Sequence, residues 1–477
     1  MSHSVRTEHD LLGDREVPSD VYYGIHTLRA LENFPISGVP ISRNSDLVVA
    51  LASVKQAAAE ANQQLGQLDP EIAAAIISAC NEIRGGSLHD EFIVDEIQGG
   101  AGTSTNMNAN EVIANRALEI MGHERGAYHI VHPLEHVNLG QSTNDVYPTA
   151  VKVALGTAAR SLEQALRGLD GSCSTKAVEF AEMLKLGRTQ LQDAVPMTLG
   201  QEFGAFAVTI GEDADRIGEA SVLIAEINLG GTAIGTGLNA HPAYAARVCE
   251  RLRDITGLPL STAKNLIEAT SDVGAFVQLS GVTKRTAVKL SKMCNDLRLL
   301  SSGPRAGFGE INLPPVQAGS SIMPGKVNPV IPEVVNQVAF EVMGNDLTIT
   351  VAAEAGQLQL NAFEPIIVRA LLSSLRHLTA AVNILGKRCI DGITANRGRM
   401  REAVLGSASI ATALNPLLGY EVATALVAEA IATGSSIPEL VRRSALVDDA
   451  VLARVLSVEN LCWPNVTGGL PPQRERS

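Results

Sequence analysis

The sequence predicts a mainly α protein, with an elongated long-helix bundle core and smaller N- and C-terminal helical domains. Apolar residues recur every three or four positions over most of the 477 residues, which is the spacing of one helix face. Convincing alternating strand patterns are few and short. Aromatic residues make up only 3% of the chain. The core must therefore consist of Ala, Leu, Val and Ile, which suit closely packed helices.

Individual helices can be placed from their apolar spacing and their end signals. One helix face runs from Val151 to Leu169. A longer helix follows the N-cap pair Ser271-Asp272 and stops at Ser301-Ser302-Gly303-Pro304, so it would be about 43 Å long. Another begins near Pro332-Glu333, since proline is common at a first helical position. Alanine-rich stripes on several sides of such helices indicate an oligomer.

Length and helix pattern divide the chain into three expected domains. These are an N-terminal domain (1–141), a central helical-bundle domain (142–396) and a C-terminal domain (397–477). No internal repeat marks the boundaries.

Charge and cysteine usage narrow the class of protein. The net charge is −13 and no Lys/Arg run occurs, so a nucleic-acid partner is not expected. The six cysteines are far apart without a C-x-x-C pair, which favours free thiols in a reducing cytosol. The first residues lack an apolar signal core, and no apolar run approaches the ~20 residues that span a bilayer. We therefore expect a cytoplasmic protein that does not bind a membrane.

Four polar segments interrupt the aliphatic pattern, and each has a structural alternative. Residues 99–108 are rich in Gly, Thr, Ser and Asn, and they either hold an anion or cap a helix. Residues 140–145 place Ser142, Thr143 and Asn144 before a helical pattern, whereas a cap alone needs only one such side chain.

The other two segments contain the cations. Residues 187–194 lie between predicted helices, and Arg188 is either a structural ion pair, a substrate clamp or neither. Residues 319–329 contain Lys326 and Asn328 among glycines and prolines. This segment is either an ordinary surface turn or a loop whose backbone N–H groups converge on a ligand oxygen.

Two further patterns do not indicate a cofactor or a metal. Gly235-Thr236-Gly237-Leu238-Asn239-Ala240 matches a loose dinucleotide fingerprint but lacks its strand and βαβ setting. His129, His132 and His136 do not have the spacing of a helical metal pair. We expect neither a cofactor nor a metal. His132 and His136 either lie near a ligand or are local hydrogen-bonding residues, and we favour the second interpretation.

The fourth segment resembles the signature loop of the aspartase/fumarase superfamily, G-S-S-x-M-P-x-K-x-N, over residues 319–328. The resemblance covers nearly the whole chain, including residues 10–18, 22–29 and 392–396. The third segment reads G-R-T-Q-L-Q-D-A where class II fumarases typically carry G-R-T-H-T-Q-D-A, and the second reads S-T-N-D instead of S-S-N-D. Both differences favour the aspartate ammonia-lyases. The alternatives are a class II fumarase-type hydratase and a non-catalytic helical structural protein.

This resemblance implies a cofactor-independent carbon–nitrogen lyase. The implied reaction is the reversible deamination of L-aspartate to fumarate and ammonia through an enediolate (aci-carboxylate) intermediate. It also implies a homotetramer in which three subunits contribute to each active site. Gln190 stands in the position of the fumarase-type histidine and has no assigned role. The resemblance assigns proton abstraction to Ser320 and substrate binding to Thr103, Ser142, Thr143, Asn144, Thr189, Ser321, Lys326 and Asn328.

Overall fold

The computed structural model describes residues 4–463, most of which are helical, and this confirms the predicted mainly α class. The α-helices are α1 (Ile25–Asn33), α2 (Ser45–Gln64), α3 (Pro70–Arg84), α4 (Thr103–Ile120), α5 (Thr143–Glu179), α6 (Leu199–Ile224), α7 (Tyr244–Thr256), α8 (Leu266–Ser271), α9 (Gly274–Leu300), α10 (Val330–Glu354), α11 (Glu364–Arg388), α12 (Arg397–Gly406), α13 (Asn415–Leu418), α14 (Tyr420–Thr433), α15 (Ile437–Arg443), α16 (Asp449–Val455) and α17 (Val458–Cys462).

The strands in the described range form two-stranded sheets. β1–β2, β3–β4 and β7–β8 are antiparallel, and β5–β6 is parallel. Their bounds are β1 (Val5–Asp10), β2 (Gly13–Pro18), β3 (Leu184–Thr189), β4 (Gln192–Thr198), β5 (Glu226–Ile227), β6 (Ser261–Thr262), β7 (Ile311–Asn312) and β8 (Thr394–Ala395).

The long helices lie where the sequence predicts them, with small shifts at their ends. The 27-residue helix α9 begins two residues after Asp272, whose Oδ2 accepts the Gly274 N–H at 3.1 Å. Helix α10 begins at Val330, two residues before the predicted proline. The third polar segment lies between helices, as predicted, and it forms the tip of the β3–β4 hairpin there.

The chain forms two compact units, each made of three segments. The first unit comprises residues 4–164, 213–288 and 338–380, and the second comprises 165–212, 289–337 and 381–463. The expected division into domains 1–141, 142–396 and 397–477 follows chain order and stays a prediction.

The core of the first unit is built from small aliphatic side chains, as the composition predicts. Helix α2 packs against α3 and α7, and α3 packs against α4. Ala57, Ala58 and Ala61 of α2 are fully buried. Because these side chains end at Cβ, neighbouring helix backbones can approach closely.

The core of the second unit attaches the β3–β4 hairpin to the C-terminal helices. Leu184 and Leu186 of β3 join a buried cluster with Val404 of α12 and Leu440 of α15. β3 also packs on α12, and β4 contacts α17. The base of the hairpin is therefore fixed, whereas its tip is exposed.

One stretch of the described residues, Glu364–Gly392, is long and apolar enough to cross a membrane by length and composition alone. Within the structure, 61% of its most apolar window is buried, as in the core helix of a globular protein. The sequence prediction overlooked this stretch because charged residues such as Arg376 interrupt it.

Candidate active site

The predicted site residues are divided between the two units. Thr103 and residues 142–144 belong to the first unit, whereas Thr189 and residues 320–328 belong to the second. Each set is described within its own unit.

A glycine-rich turn places the beginning of α4 against α5. Gly100, Ala101 and Gly102 all have positive φ angles (88°, 54° and 90°). A Cβ on Gly102 would overlap the ring of Tyr147 in α5, so only glycine allows this close approach. Thr103, the first residue of α4, is exposed, and its hydroxyl donates to the Gly100 carbonyl at 2.7 Å.

The beginning of α5 is capped by two of its polar side chains. Ser142 Oγ accepts the Asn144 N–H at 3.2 Å, and Asp145 Oδ1 accepts the Ser142 N–H at 2.9 Å. This reciprocal arrangement resembles a capping box. Thr143 Oγ1 accepts from the Asn106 amide at 3.1 Å, and the Asn144 amide donates to Ala233 O at 2.8 Å. Capping therefore explains part of the cluster, and Thr143 ties it to α4.

A buried lysine that the sequence did not single out lies behind these helix ends. Lys55 Nζ donates to Asn138 Oδ1 at 2.8 Å and to Gln141 Oε1 at 2.9 Å. The same Asn138 oxygen accepts from Asn106 and Asn110. Burial lowers the pKa of Lys55 to about 7, opposed by the nearby Asp145 carboxylate. Its sequence signal is one lysine in the alanine- and valine-rich stretch of α2.

Asp145 fixes the loop that faces the start of α5. Its Oδ2 accepts the N–H groups of Gly230 at 3.0 Å and Thr232 at 2.8 Å. Burial raises the pKa of Asp145 to about 6, and its backbone hydrogen bonds oppose this rise. The positive ends of helix dipoles favour anions, and the N-termini of α4 and α5 are adjacent here. The first unit thus offers hydroxyls and helix ends suited to a carboxylate.

In the second unit, Thr189 ends β3 at the exposed tip of the hairpin. The two-residue turn Gln190-Leu191 has positive φ at both positions, 53° and 63°, and Thr189 pairs with Gln192 across it. This is the geometry of a type I′ turn, which is usually made by Asn and Gly. The sequence left Arg188 as a structural ion pair, a substrate clamp or neither. The structure shows the ion pair, with Glu310.

The loop 319–328 is held at both ends and exposed in the middle. The Gly319 N–H donates to Lys326 O, and the Asn328 amide donates to Gly319 O, both at 2.8 Å. Ser320 Oγ accepts the N–H groups of Ile322 at 3.2 Å and Met323 at 3.0 Å. Two N–H donors on one hydroxyl oxygen favour its negatively charged form.

A cleft of about 920 Å³ adjoins this loop. Lys326 and Asn328 line it together with Arg298 and Arg399, and no carboxylate does. Within the described part of the chain, the Lys326 ammonium has no hydrogen-bond or ion-pair partner. Such a lining suits a small anionic ligand.

The structure therefore brings Ser320, Ser321, Lys326 and Asn328 into one loop, and places Thr143 beside α4. In the range 4–463 no hydrogen bond joins Thr189 to that loop. His132 Nδ1 accepts the N–H groups of Leu134 and Glu135, and the His136 ring accepts the His132 N–H. These histidines make the local hydrogen bonds that the sequence predicts.

Comparison with known protein families places the chain among the lyases. The family model described as Lyase matches residues 13–344, and the model of the fumarase C C-terminus matches residues 410–462. The first match includes every predicted site residue.

Individual relatives agree with this assignment. An aspartate ammonia-lyase of Pseudomonas aeruginosa is 60% identical over 464 residues, covering 97% of this chain and 98% of that protein. The one from Escherichia coli K12 is 53% identical over 465 residues, covering 97% of each.

Solved structures show the same fold. A fumarate lyase from Brucella melitensis, bound to cobalt, is 55% identical with a TM-score of 0.94, covering 97% of this chain and 100% of that one. A class II fumarase from Schistosoma mansoni is 35% identical with a TM-score of 0.90 and the same coverage. The chain therefore belongs to the aspartase/fumarase superfamily and, within it, to the aspartate ammonia-lyase family of carbon–nitrogen lyases.

Proposed function

We propose that the protein catalyses the reversible deamination of L-aspartate to fumarate and ammonia, with Ser320 as the base. The observation that carries this proposal is the pair of N–H donors on Ser320 Oγ. The same loop places Lys326 and Asn328 in a cleft lined by cations and no carboxylate. A neutral serine is a poor base, so a site that uses one must favour its alkoxide. The two hydrogen bonds and the Lys326 charge act in that direction.

The hard step is removal of the proton from the carbon beside a carboxylate. Negative charge then moves into that carboxylate and forms an enediolate. Enzymes lower barriers by about 8–23 kcal/mol, while one oxyanion-type donor contributes about 3 kcal/mol, so several donors must meet the substrate. The donors to the charged carboxylate are the hydroxyl and amide groups of Ser142, Thr143 and Asn144. The rest of the substrate is bound by Thr103, Thr189, Ser321, Lys326 and Asn328.

If this proposal holds, a complete active site needs segments from several copies of the chain, assembled in a homotetramer. Exposed apolar side chains support assembly, since Phe340 and Leu347 on α10 are 61% and 65% exposed. Large apolar side chains exposed on one helix are typical of a subunit interface. Ile322 in the loop 319–328 is 84% exposed, so a neighbouring copy or bound substrate would cover it. We place the tetramer in the cytoplasm, where free thiols such as buried Cys80 and Cys173 persist.

The test is fumarate formation followed by ultraviolet absorbance with L-aspartate or L-malate as substrate. The proposal predicts turnover of L-aspartate and little or none of L-malate. Preferential turnover of L-malate would support the fumarase-type hydratase instead. Absence of turnover on either substrate would favour a structural protein.

A further inference from the structure

We propose that Arg188 and Glu310 form a positioning pair that holds Thr189 in its place in the active site. This inference rests on the proposed function, because it assumes that Thr189 contacts the substrate. Neither Arg188 nor Glu310 needs to touch the substrate. Their effect on the reaction passes through the hairpin tip.

Glu310 is a fixed point in the second unit. Its N–H donates to Leu300 O at the end of α9 (2.9 Å), and its carbonyl accepts the Asn396 N–H (2.8 Å). The next residue, Ile311, pairs with Ala395 in the β7–β8 sheet. The Glu310 side chain is only 3% exposed. The backbone and the burial together leave this carboxylate little freedom.

Two cations of β3 meet the Glu310 carboxylate. Arg188 Nη2 lies 2.5 Å from Oε1, and the Nζ of Lys185, 2% exposed, lies 3.0 Å from Oε2. The Lys185 contact is an ion pair that is not aligned as a hydrogen bond. The Arg188 guanidinium also lies 4.2 Å from the centre of the Phe308 ring, a cation–π distance. Arg188 is thus held by a charge and by an aromatic face.

A β-bulge lies beside this arrangement. Lys185 and Arg188 are three residues apart, so in a regular strand they would lie on opposite faces. The strand pairing shifts between Leu186 and Arg188, where two residues of β4 oppose the single residue Gly187 of β3. A Cβ on Gly187 would lie 2.9 Å from Val195 O, so the bulged strand comes too close to β3 for any residue but glycine. Bulges increase the local twist of a strand pair, and both cations of β3 reach one carboxylate.

The contact between Arg188 and Glu310 sets the orientation of the tip. Thr189 follows Arg188 directly and therefore lies on the opposite face of β3. Once Arg188 is fixed on Glu310, the position of Thr189 is fixed as well. The exposed turn beyond it, Gln190-Leu191, has no comparable anchor, since both of its residues are exposed. The pair is thus the last buried contact before the tip.

A double-mutant cycle on kcat and KM for L-aspartate tests the pair. Arg188→Gln should lower kcat/KM on the order of 10²-fold, because a shift of about 1 Å in a binding group has that effect. Thr189→Ala should change kcat and KM in the same proportions as Arg188→Gln does. If Arg188 acts through Thr189, the double variant should be no worse than the more impaired single variant. The control is Arg216→Gln, which removes an exposed arginine on α6 that pairs with Glu219 and should match the wild type.

Arg188→Lys is the second variant to test. It keeps the positive charge beside Glu310, so it can be measured even if Arg188→Gln fails to fold. Lysine lacks the planar fork of arginine, so kcat/KM should fall less than for Arg188→Gln, and the fall should vanish in the Thr189→Ala background. Losses that multiply in the double variants would overturn the proposal, as would Arg188 variants equal to the Arg216→Gln control. A wild type inactive on L-aspartate would instead contradict the proposed function.

Discussion

The backbone N–H of Met323 donates to the side-chain oxygen of Ser320 across 3.0 Å. Ile322 supplies a second donor at 3.2 Å, so the oxygen that we assign as the base is already hydrogen-bonded within its own loop. Donors to an oxygen stabilise its ionised form. The loop sequence therefore provides both the base and part of its activation.

The close approach of α4 to α5 predicts that Gly102→Ala will impair the enzyme. The added Cβ would overlap the Tyr147 ring, and Gly102 has a φ of +90°. Gly122, just after α4, has a φ of +80° with nothing within 4 Å of an added Cβ, so Gly122→Ala is the matched control. Both variants carry a backbone strain of about 1–2 kcal/mol.

Gly102→Ala should also displace Thr103 and lower kcat/KM at least tenfold, whereas Gly122→Ala should change stability alone. Steady-state kinetics and denaturant unfolding separate the two effects. Equal kinetics in both variants would show that the helix contact does not position Thr103.

The strained hairpin tip predicts that Leu191→Gly will stabilise the protein. Leu191 has a φ of 63° and is 66% exposed, so glycine removes strain of about 1 kcal/mol with little loss of packing. The unfolding midpoint in urea should rise. A lower midpoint would mean that the leucine side chain packs against a neighbouring subunit, which size-exclusion chromatography of the variant would reveal.

Glu364 predicts a specific dependence of stability on pH. Burial raises the pKa of its carboxyl from 4.5 to about 8, opposed by nearby Lys152. Between these values the folded protein holds a proton that the unfolded chain releases. The stability that this proton contributes is therefore present below pH 4.5 and lost as the pH rises toward 8.

Glu364→Gln keeps the shape of the side chain and removes its titration. As the pH rises from about 5 to about 8, the range between the two pKa values, the variant should lose less stability than the wild type. Urea unfolding at several pH values measures this difference. The exposed Glu219→Gln on α6 should follow the wild-type curve. Parallel curves for Glu364→Gln and the wild type would show that Glu364 does not titrate in this range.

Lys326 should matter for the reaction and not for folding. Because its ammonium has no partner among the described residues, Lys326→Met should change the free energy of unfolding by only about 0.5 kcal/mol. KM for L-aspartate should rise and kcat should fall, since a substrate-facing charge is lost. Lys292→Met removes an exposed lysine paired with Asp296 and should leave both constants unchanged. A normal KM in Lys326→Met would remove Lys326 from the site.

The sequence could predict the long helices because each has one apolar face, and the spacing of apolar residues is a local property. The ends of α9 and α10 came within two residues of their predictions, since Pro, Gly and Asp mark helix ends. It could not predict the β3–β4 turn, because Gln190 and Leu191 are unusual residues at positive φ.

Buried polar residues were equally hard to predict. Lys55 and Glu310 show their importance only through partners more than 80 and 120 residues away in sequence. The signature loop was found from its residues, whereas the hydrogen bonds on Ser320 depend on how that loop folds. The roles of all the predicted site residues stay predictions.

The most direct test of the central claim is the rate of fumarate formation from L-aspartate by Ser320→Ala. Loss of a general base typically costs about 10²–10⁴-fold, so kcat should fall by about 10³-fold while the oligomeric state stays that of the wild type. Ser271→Ala, which removes an exposed hydroxyl bonded to Glu268 O, should retain full activity. A folded Ser320→Ala enzyme with near-normal kcat would contradict the assignment of Ser320 as the base.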